Sequence, residues 1–122
     1  MSQRYSSMLF KVAILIAILP VTALADTDIS DQQAAQHLGE KVRVHGTVVR
    51  IHRTSGGATY LDFGAPYPAQ TLTGWIPADS ELATDDHLAE LRGKRVRLDG
   101  TVQLFRGKPE IKLMARSALI VE

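Results

Sequence analysis

Hydrophobic and polar residues alternate along several short stretches of this chain, with the period of two that is typical of half-buried β-strands. In the first stretch, KVRVHGTV, Val42, Val44 and Val48 alternate with charged and polar residues. The alternation shifts by one residue between Val48 and Val49, and a shift close to a glycine predicts a β-bulge. The apolar residues 118–121 either extend the last strand or form a short closing segment. Four further strands are predicted at 59–63, 72–76, 95–105 and 110–114.

The first and fourth predicted strands begin with nearly the same ten residues, GEKVRVHGTV at 39–48 and GKRVRLDGTV at 93–102. Each copy opens with a glycine and carries a second glycine, Gly46 or Gly100, in the middle of its strand. A small barrel needs long strands that bend, so that each strand serves both halves of the sheet, and glycine permits the bend. The two copies do not demonstrate a duplication, but they predict two long, bent strands.

Two short helices are expected beside these strands. Ser30 followed three residues later by Gln33 is a capping-box pattern, which predicts a short N-terminal helix that ends at Gly39. The polar residues before it, 26–31, are expected to be frayed. A second helix is predicted between 79 and 93, where leucines recur after a possible serine or aspartate cap.

The predicted order is three strands, a helix and two more strands. This is the order of elements in the five-stranded Greek-key barrel called the OB-fold. The sequence therefore predicts a mainly β protein with this barrel, a helix between strands three and four, and a short N-terminal helix. The expected organisation is a cleaved signal peptide at 1–25, a polar segment with the short helix at 26–38, and the OB-fold domain at 39–122.

The signal peptide is predicted from three features of the first 25 residues. Arg4 and Lys11 are basic, 12–18 is apolar, and 23–25 (ALA) is a small-x-small cleavage pattern. The apolar run is shorter than the roughly 20 residues that span a membrane. We therefore expect a periplasmic or secreted protein with no stable membrane anchor after cleavage.

Cleavage changes the charge of the protein. The whole chain has 14 Lys and Arg against 13 Asp and Glu, and the signal peptide removes two basic residues and no acid, which leaves a net charge of −1. Binding to a polyanion would therefore depend on a local patch. The densest basic cluster, at 92–97, is expected on an outer face beside Arg43, where nearby acids neutralise most of it.

Residues 39–115 resemble the bacterial OB-fold nucleic-acid-binding modules found in exported proteins and beside nucleases. The matching segments are GEKVRVHG (39–46), YLDFG (60–64) with Tyr67-Pro68, LTGWI (72–76), LRGKRV (91–96) and FRGKPEI (105–111). The resemblance implies the OB-fold and nucleic-acid binding. The chain departs from the pattern at Asp62, where an asparagine is expected, and a carboxylate at this position would repel a passing phosphate.

The binding face of an OB barrel is formed by its second and third strands and by the loops that join strands one to two and four to five. Aromatic side chains there stack on bases, and cations follow the phosphates. If Leu72, Gly74 and Ile76 face inward, alternation turns Trp75 outward onto this face. The candidate ligand-binding residues are Arg50, His52, Arg53, Tyr60, Trp75, Phe105, Arg106 and Lys108.

Two classes of partner stay open for this face. Single-stranded nucleic acid is favoured by the resemblance, and a protein or glycan of the cell envelope is favoured by the near-neutral charge of residues 26–122. The oligomeric state is not indicated by the sequence.

No catalytic motif is present, and we expect a non-enzymatic binding module without a cofactor. The four histidines have no metal-ligand spacing, and the chain contains no cysteine, so no metal site is predicted. Nucleases built on an OB barrel use acids to hold a cation and arginines to steady the phosphate. Asp62, Arg50, Arg106 and Glu110 would be the residues for these roles, but the chain is too short for the additional helices of such enzymes.

Overall fold

The structure, a computed structural model, describes residues 27–122. The predicted signal peptide lies outside these residues. The described strands are β1 (Thr27–Ser30), β2 (Lys41–Arg53), β3 (Thr59–Phe63), β4 (Leu72–Ile76), β5 (Arg95–Phe105), β6 (Lys108–Lys112) and β7 (Leu119–Val121). Short 3-10 helices occur at Asp31–Gln36, Leu88–Leu91 and Arg116–Ala118. None of the helices among the described residues is long and apolar enough to cross a membrane.

Five of the strands close into a barrel in the order β2-β3-β4-β6-β5, and β5 pairs again with β2. The pairing of β4 with β6 is parallel, and the other pairings within the barrel are antiparallel. Two extra strands extend the sheet: β1 pairs in parallel with β2, and β7 pairs antiparallel with β5. The protein is therefore mainly β, as the alternating pattern predicts.

The two long strands each serve both halves of the barrel. In β2, residues 41–47 pair with β5 and residues 48–53 pair with β3, and in β5, residues 102–105 pair with β6. The register of β2 on β3 shifts between Val48 and Arg50. This confirms the bulge predicted beside Val49, and the extra residue bends the strand around the corner of the barrel.

The interior of the barrel is filled by the inward-facing residues of these strands, which alternate with polar residues facing out. Burying each branched aliphatic or aromatic side chain contributes about 1.5–3 kcal/mol relative to leaving it exposed. Since the chain has no cysteine, this core stabilises the barrel without a disulfide. The largest fully buried side chains are those of Phe63, Leu61, Leu72, Ile76, Leu88, Leu98, Ile111, Leu113, Val42, Val44, Val48 and Val96.

Neither predicted helix forms as an α-helix. The N-terminal one is a 3-10 helix at Asp31–Gln36, although Gln33 Oε1 accepts the hydrogen bond from Ser30 N (2.9 Å) that the capping pattern predicts. The helix predicted between 79 and 93 is wrong, because only Leu88–Leu91 is helical and the residues before it form turns. Asp85 Oδ1 accepts a hydrogen bond from His87 N (2.8 Å), which stabilises a turn in place of a helix.

The ends of the described chain are more ordered than the sequence predicts. Residues 27–30 form β1, so the prediction that they are frayed is wrong. Ile29 is buried, and Asp28 accepts two hydrogen bonds from the Arg43 guanidinium, each of 2.9 Å. At the other end, the predicted closing segment is β7, separate from the fifth barrel strand, which starts at Lys108.

Candidate ligand-binding cleft

Two rows of side chains cross the outer face of β3, β4 and β6. Because Leu61, Phe63, Leu72 and Ile76 point into the core, their neighbours along the strands point outward. The pairing aligns these outward residues across the sheet. The polar row contains Arg50, Asp62, Thr73 and Glu110, and the aromatic row contains His52, Tyr60, Trp75 and Lys112.

Three of the four residues in the polar row are buried although the row lies on the outer face. Asp62, Thr73 and Glu110 are only 2%, 6% and 5% exposed. The segment 64–71, between β3 and β4, folds over this row: Tyr67 N donates a hydrogen bond to Asp62 Oδ2 (3.2 Å). Arg50 Nη1 donates to the same oxygen (3.3 Å), which gives the buried Asp62 carboxylate a cationic partner.

The far end of the polar row holds acceptors without partners. Gln70 is 5% exposed, and its Nε2 donates a hydrogen bond to Thr73 Oγ1 (3.0 Å), but its Oε1 is buried without a hydrogen bond. The side chain of Glu110, the neighbour of Thr73 on β6, makes no ion pair or hydrogen bond among residues 27–122. Burial raises the pKa of the Glu110 carboxyl above its usual range. Buried polar groups are normally paired, so the Gln70 oxygen is an exception that calls for a partner, and the Glu110 carboxylate beside it has no cation among the described residues to compensate its charge.

The aromatic row contains one ring pair and one cation–ring pair on neighbouring strands. The rings of His52 and Tyr60 lie with their centroids 6.4 Å apart and their planes 25° apart. Tyr60 is opposite Trp75 in the register, and Lys112 Nζ lies 5.4 Å from the centre of the Trp75 ring. Trp75 is half-buried and faces outward, as alternation predicts, and its Nε1 is buried without a hydrogen bond.

A cleft of about 390 Å³ lies over the polar row, between segment 64–71 and the turn that joins β5 to β6. Tyr67 and Phe105 are 58% and 49% exposed at its rim, and the Arg106 guanidinium lies 5.2 Å from the centre of the Phe105 ring. The cleft therefore combines cations and aromatic rings at the rim with carboxylates at the floor. It is lined by Arg50, His52, Tyr60, Asp62, Tyr67, Gln70, Thr73, Phe105, Arg106, Lys108, Pro109 and Glu110.

The structure brings six of the eight candidate residues from the sequence together in this cleft. The other two, Arg53 and Trp75, do not line it. The guanidinium of Arg53 donates a hydrogen bond to the carbonyl oxygen of Ala83, and Trp75 lies beyond Tyr60 in the aromatic row. The six that line the cleft are Arg50, His52, Tyr60, Phe105, Arg106 and Lys108.

Several lining residues were not identified as binding residues from the sequence. Thr73 could have been found, because the alternation that turns Trp75 outward turns Thr73 outward as well. Tyr67 and Gln70 carry no such signal, since they belong to an irregular segment whose course depends on tertiary contacts. Asp62 and Glu110 are not among the ligand-binding candidates from the sequence, which names them for a nuclease role. The structure places both on the floor of the cleft.

Outside the cleft, two arginines of the basic cluster at 92–97 are paired with acids. On the outer face of β2 and β5, Arg97 Nε donates to Asp99 Oδ1 (2.8 Å), and Arg95 lies 3.6 Å from the Glu122 carboxylate. The basic cluster is therefore compensated in part, because Arg92 and Lys94 are exposed and make no ion pair among the described residues. Among residues 27–122, no group of three or more histidine or acidic side chains is arranged to hold a metal ion.

Comparisons with known proteins identify the architecture. No family model matches the chain, and no curated protein matches it. Among solved structures, OBody AM1L10 bound to hen egg-white lysozyme is 17% identical with a TM-score of 0.53, and the match covers 87% of this chain and 98% of that one. OBody AM2EP06 bound to hen egg-white lysozyme is 16% identical with a TM-score of 0.54, covering 86% and 96%.

A Leishmania major protein assigned as an aspartyl-tRNA synthetase is 10% identical with a TM-score of 0.55. The match covers 88% of this chain but only 22% of the Leishmania protein. At such low identity the similarity shows the fold alone. The chain forms a closed five-stranded β-barrel with an OB-like fold and two additional strands.

Proposed function

We propose that the protein is an exported, non-enzymatic binding module that holds a short stretch of single-stranded nucleic acid in the cleft, weakly and with broad tolerance of sequence. The observation that carries this proposal is the rim of the cleft, where three cationic and three aromatic side chains surround one cavity: Arg50, Arg106 and Lys108 with Tyr60, Tyr67 and Phe105. Cations that follow the phosphates and aromatic rings that stack on bases are the two features by which proteins hold single strands.

The charges of the cleft favour one orientation of the strand. Arg50 is partly neutralised by Asp62, so Arg106, on the turn after β5, and Lys108, at the start of β6, are the cations that meet the phosphates. The buried carboxylates at the floor repel phosphate, which keeps the backbone at the rim and turns a base inward. Each stacked base contributes roughly 1–3 kcal/mol, so one or two bases give only weak binding.

The proposal is tested by fluorescence anisotropy of a labelled 12-nucleotide oligomer over a series of salt concentrations. With two to three phosphates neutralised, the logarithm of the association constant should fall with the logarithm of the salt concentration with a slope of about −1.5 to −2. The double variant R106A/K108A should lose most of the binding. R92A/K94A is the matched control, because Arg92 and Lys94 are exposed and do not line the cleft. Absence of binding at low salt would refute the proposal.

A second candidate function is the binding of an envelope protein or glycan on the same face. It is favoured by the exposed apolar surface beside the cleft, where Leu104, Phe105 and Tyr67 are 57%, 49% and 58% exposed. The two OBodies of similar fold are bound to a protein, hen egg-white lysozyme. Capture of an envelope component that resists salt and survives R106A/K108A, together with no binding of oligonucleotides, would favour this alternative.

A further inference from the structure

The floor of the cleft carries hydrogen-bond acceptors that could distinguish one base from another, whereas the rim does not. Rim cations and aromatic rings would serve any base, whereas the floor presents hydrogen-bond acceptors at one end. We infer that the cleft selects nucleotides whose base carries an amino group, and that Gln70 and Glu110 accept the hydrogen bonds from that base. This inference rests on the proposed function and deepens it from sequence-tolerant binding to a preference among bases.

Gln70 is the first acceptor. Its side-chain amide has one hydrogen bond, from Nε2 to Thr73 Oγ1, so its donor group is engaged within the protein. Gln70 lines the cleft, and its Oε1 atom is buried without a hydrogen bond just behind the cleft surface, so a small shift of the side chain would present it to a ligand. Leaving a buried acceptor unpaired is unfavourable, and a hydrogen-bond donor on a ligand would remove that cost.

Glu110 is the second acceptor, and the register places it beside the first. Thr73, which is bonded to Gln70, is paired with Glu110 across the parallel strands β4 and β6. Neighbouring strands lie about 4.8 Å apart, so the two acceptors are within the reach of one base. Glu110 is 5% exposed and its side chain has no ion pair or hydrogen bond among the described residues, so its carboxylate is available to a ligand. The Asp62 carboxylate, in contrast, is engaged by Arg50 and by Tyr67 N.

The chemistry of the bases determines which of them fits this floor. Cytosine presents an N4 amino group that carboxylates accept, and adenine presents an N6 amino group. Uracil and thymine present a carbonyl oxygen at the corresponding position, which would face the two acceptors and leave all three groups unpaired. A wrong base at a direct hydrogen-bonding contact costs about 1–3 kcal/mol, which is about a 5- to 150-fold difference in affinity.

The test compares oligo(dC) and oligo(dU) of 12 nucleotides, because these pyrimidines have similar stacking surfaces and differ in the groups on the base edge. Wild-type protein is expected to bind oligo(dC) at least fivefold more tightly. E110Q should reduce this preference, since its amide adds a donor that suits uracil. E90Q makes the same chemical change at an exposed position outside the cleft and should leave the preference unchanged.

A second variant, Q70M, keeps the length of the side chain and removes the acceptor, so it should also reduce the preference even if E110Q is poorly folded. Thermal unfolding by circular dichroism verifies the fold of each variant. Equal binding of the two oligomers, or tighter binding of oligo(dU), by wild-type protein overturns the inference and leaves the proposed function standing. Absence of binding to both at low salt overturns the proposed function as well.

Discussion

Val44 lies directly opposite Leu98 in the antiparallel ladder of β2 and β5, and the two residues occupy the same position in the two copies of the repeated decapeptide. The hydrogen bonds around them repeat in the same way. Gly39 N donates to Val102 O and Gly93 N donates to Val48 O, both over 2.7 Å. The two copies therefore pair with each other around a local twofold axis. Because the two copies pair with each other, the same sequence pattern forms both strands of the β2–β5 ladder that closes the barrel.

The glycines that open the two copies are predicted to matter for their backbone conformation alone. Gly39 and Gly93 have φ values of 83° and 84°, and a Cβ at either position would meet nothing within 4 Å. G39A and G93A should each lower the free energy of unfolding by about 1–2 kcal/mol, the cost of a left-handed backbone for an L-residue. Urea denaturation measures this. G56A is the control: Gly56 has an ordinary φ, and a Cβ there would make only an ordinary contact with Thr54 Oγ1 at 3.8 Å, so the change should stay within about 0.5 kcal/mol.

The packing of Leu98 against β4 gives a prediction on coupling within the core. A Cβ at Gly74 would lie 3.1 Å from Leu98 Cδ1, so G74A should be destabilising, and L98A should cost about 2–5 kcal/mol through the cavity it creates. In the double variant the new methyl group occupies part of that cavity. Chemical denaturation of the four proteins should show the double variant more stable than the sum of the single changes, by about 0.5–3 kcal/mol. Strict additivity would show that the two sites do not share space. L104A, at an exposed leucine on the same strand, is the control and should have little effect.

Much of the barrel could be predicted from the sequence because its strands carry strong alternation. The bounds of β3, β4 and β5 and the bulge beside Val49 follow from residues whose burial is required by the core. β1 could not be predicted, since Ile29 is its single buried residue and its other contacts come from distant partners such as Arg43. The second helix was predicted from recurring leucines, but turns at 81–84 bring Leu82 into the core without a helix.

Some residues of the candidate site could be predicted from the sequence and others could not. Residues on strands or at predictable turns, such as Tyr60 and Lys108, could be assigned to one face from the period of two and the expected fold. Tyr67 and Gln70 could not, because segment 64–71 has no period. Its course depends on tertiary contacts: Thr71 Oγ1 donates to Asp31 Oδ2 (2.6 Å), and Thr71 N donates to Phe63 O (2.9 Å). The position of the Gln70 acceptor depends on that course, whereas Glu110 lies on β6.

His45 is expected to make the attachment of the two extra strands depend on pH. Its Nε2 lies 2.8 Å from Asp28 Oδ1 on β1, and its Nδ1 lies 2.7 Å from Glu122 Oε2, the residue after β7. Two carboxylates can be bound at once only by the doubly protonated ring, and the Asp28 contact, followed by that of Glu122, raises the pKa of His45. A raised pKa stabilises the folded state at pH values below the ordinary 6.5, and this stabilisation is lost as the pH rises through the folded value.

The prediction for His45 is measured by thermal unfolding between pH 5 and pH 9. Wild-type protein should lose stability on the alkaline side, and H45Q should have a flatter profile there. Asp28 does not change this window, because the Arg43 guanidinium, followed by His45, lowers the pKa of its carboxyl, so its stabilisation is lost only at strongly acidic pH. H87Q is the control, since the His87 ring is 79% exposed. An alkaline loss in H45Q equal to that of wild-type protein would contradict the role of His45.

Glu110 is predicted to lower the stability of the folded protein at neutral pH, although its carboxylate contributes to ligand binding in the cleft. Burial raises the pKa of its carboxyl, so the unfolded chain releases this proton at a lower pH than the folded protein does. Stability should therefore fall as the pH rises from the ordinary value of about 4.3 to the raised folded value, and remain lower above it. E110Q removes the buried charge and should be more stable than wild-type protein at pH 7, with a difference that disappears below about pH 4. Urea denaturation at the two pH values measures this, with E90Q as the exposed control.

A more stable E110Q with a reduced preference for oligo(dC) would show that the carboxylate is retained for binding at a cost in stability. A less stable E110Q at pH 7 would mean instead that the carboxylate has a stabilising partner in the folded protein.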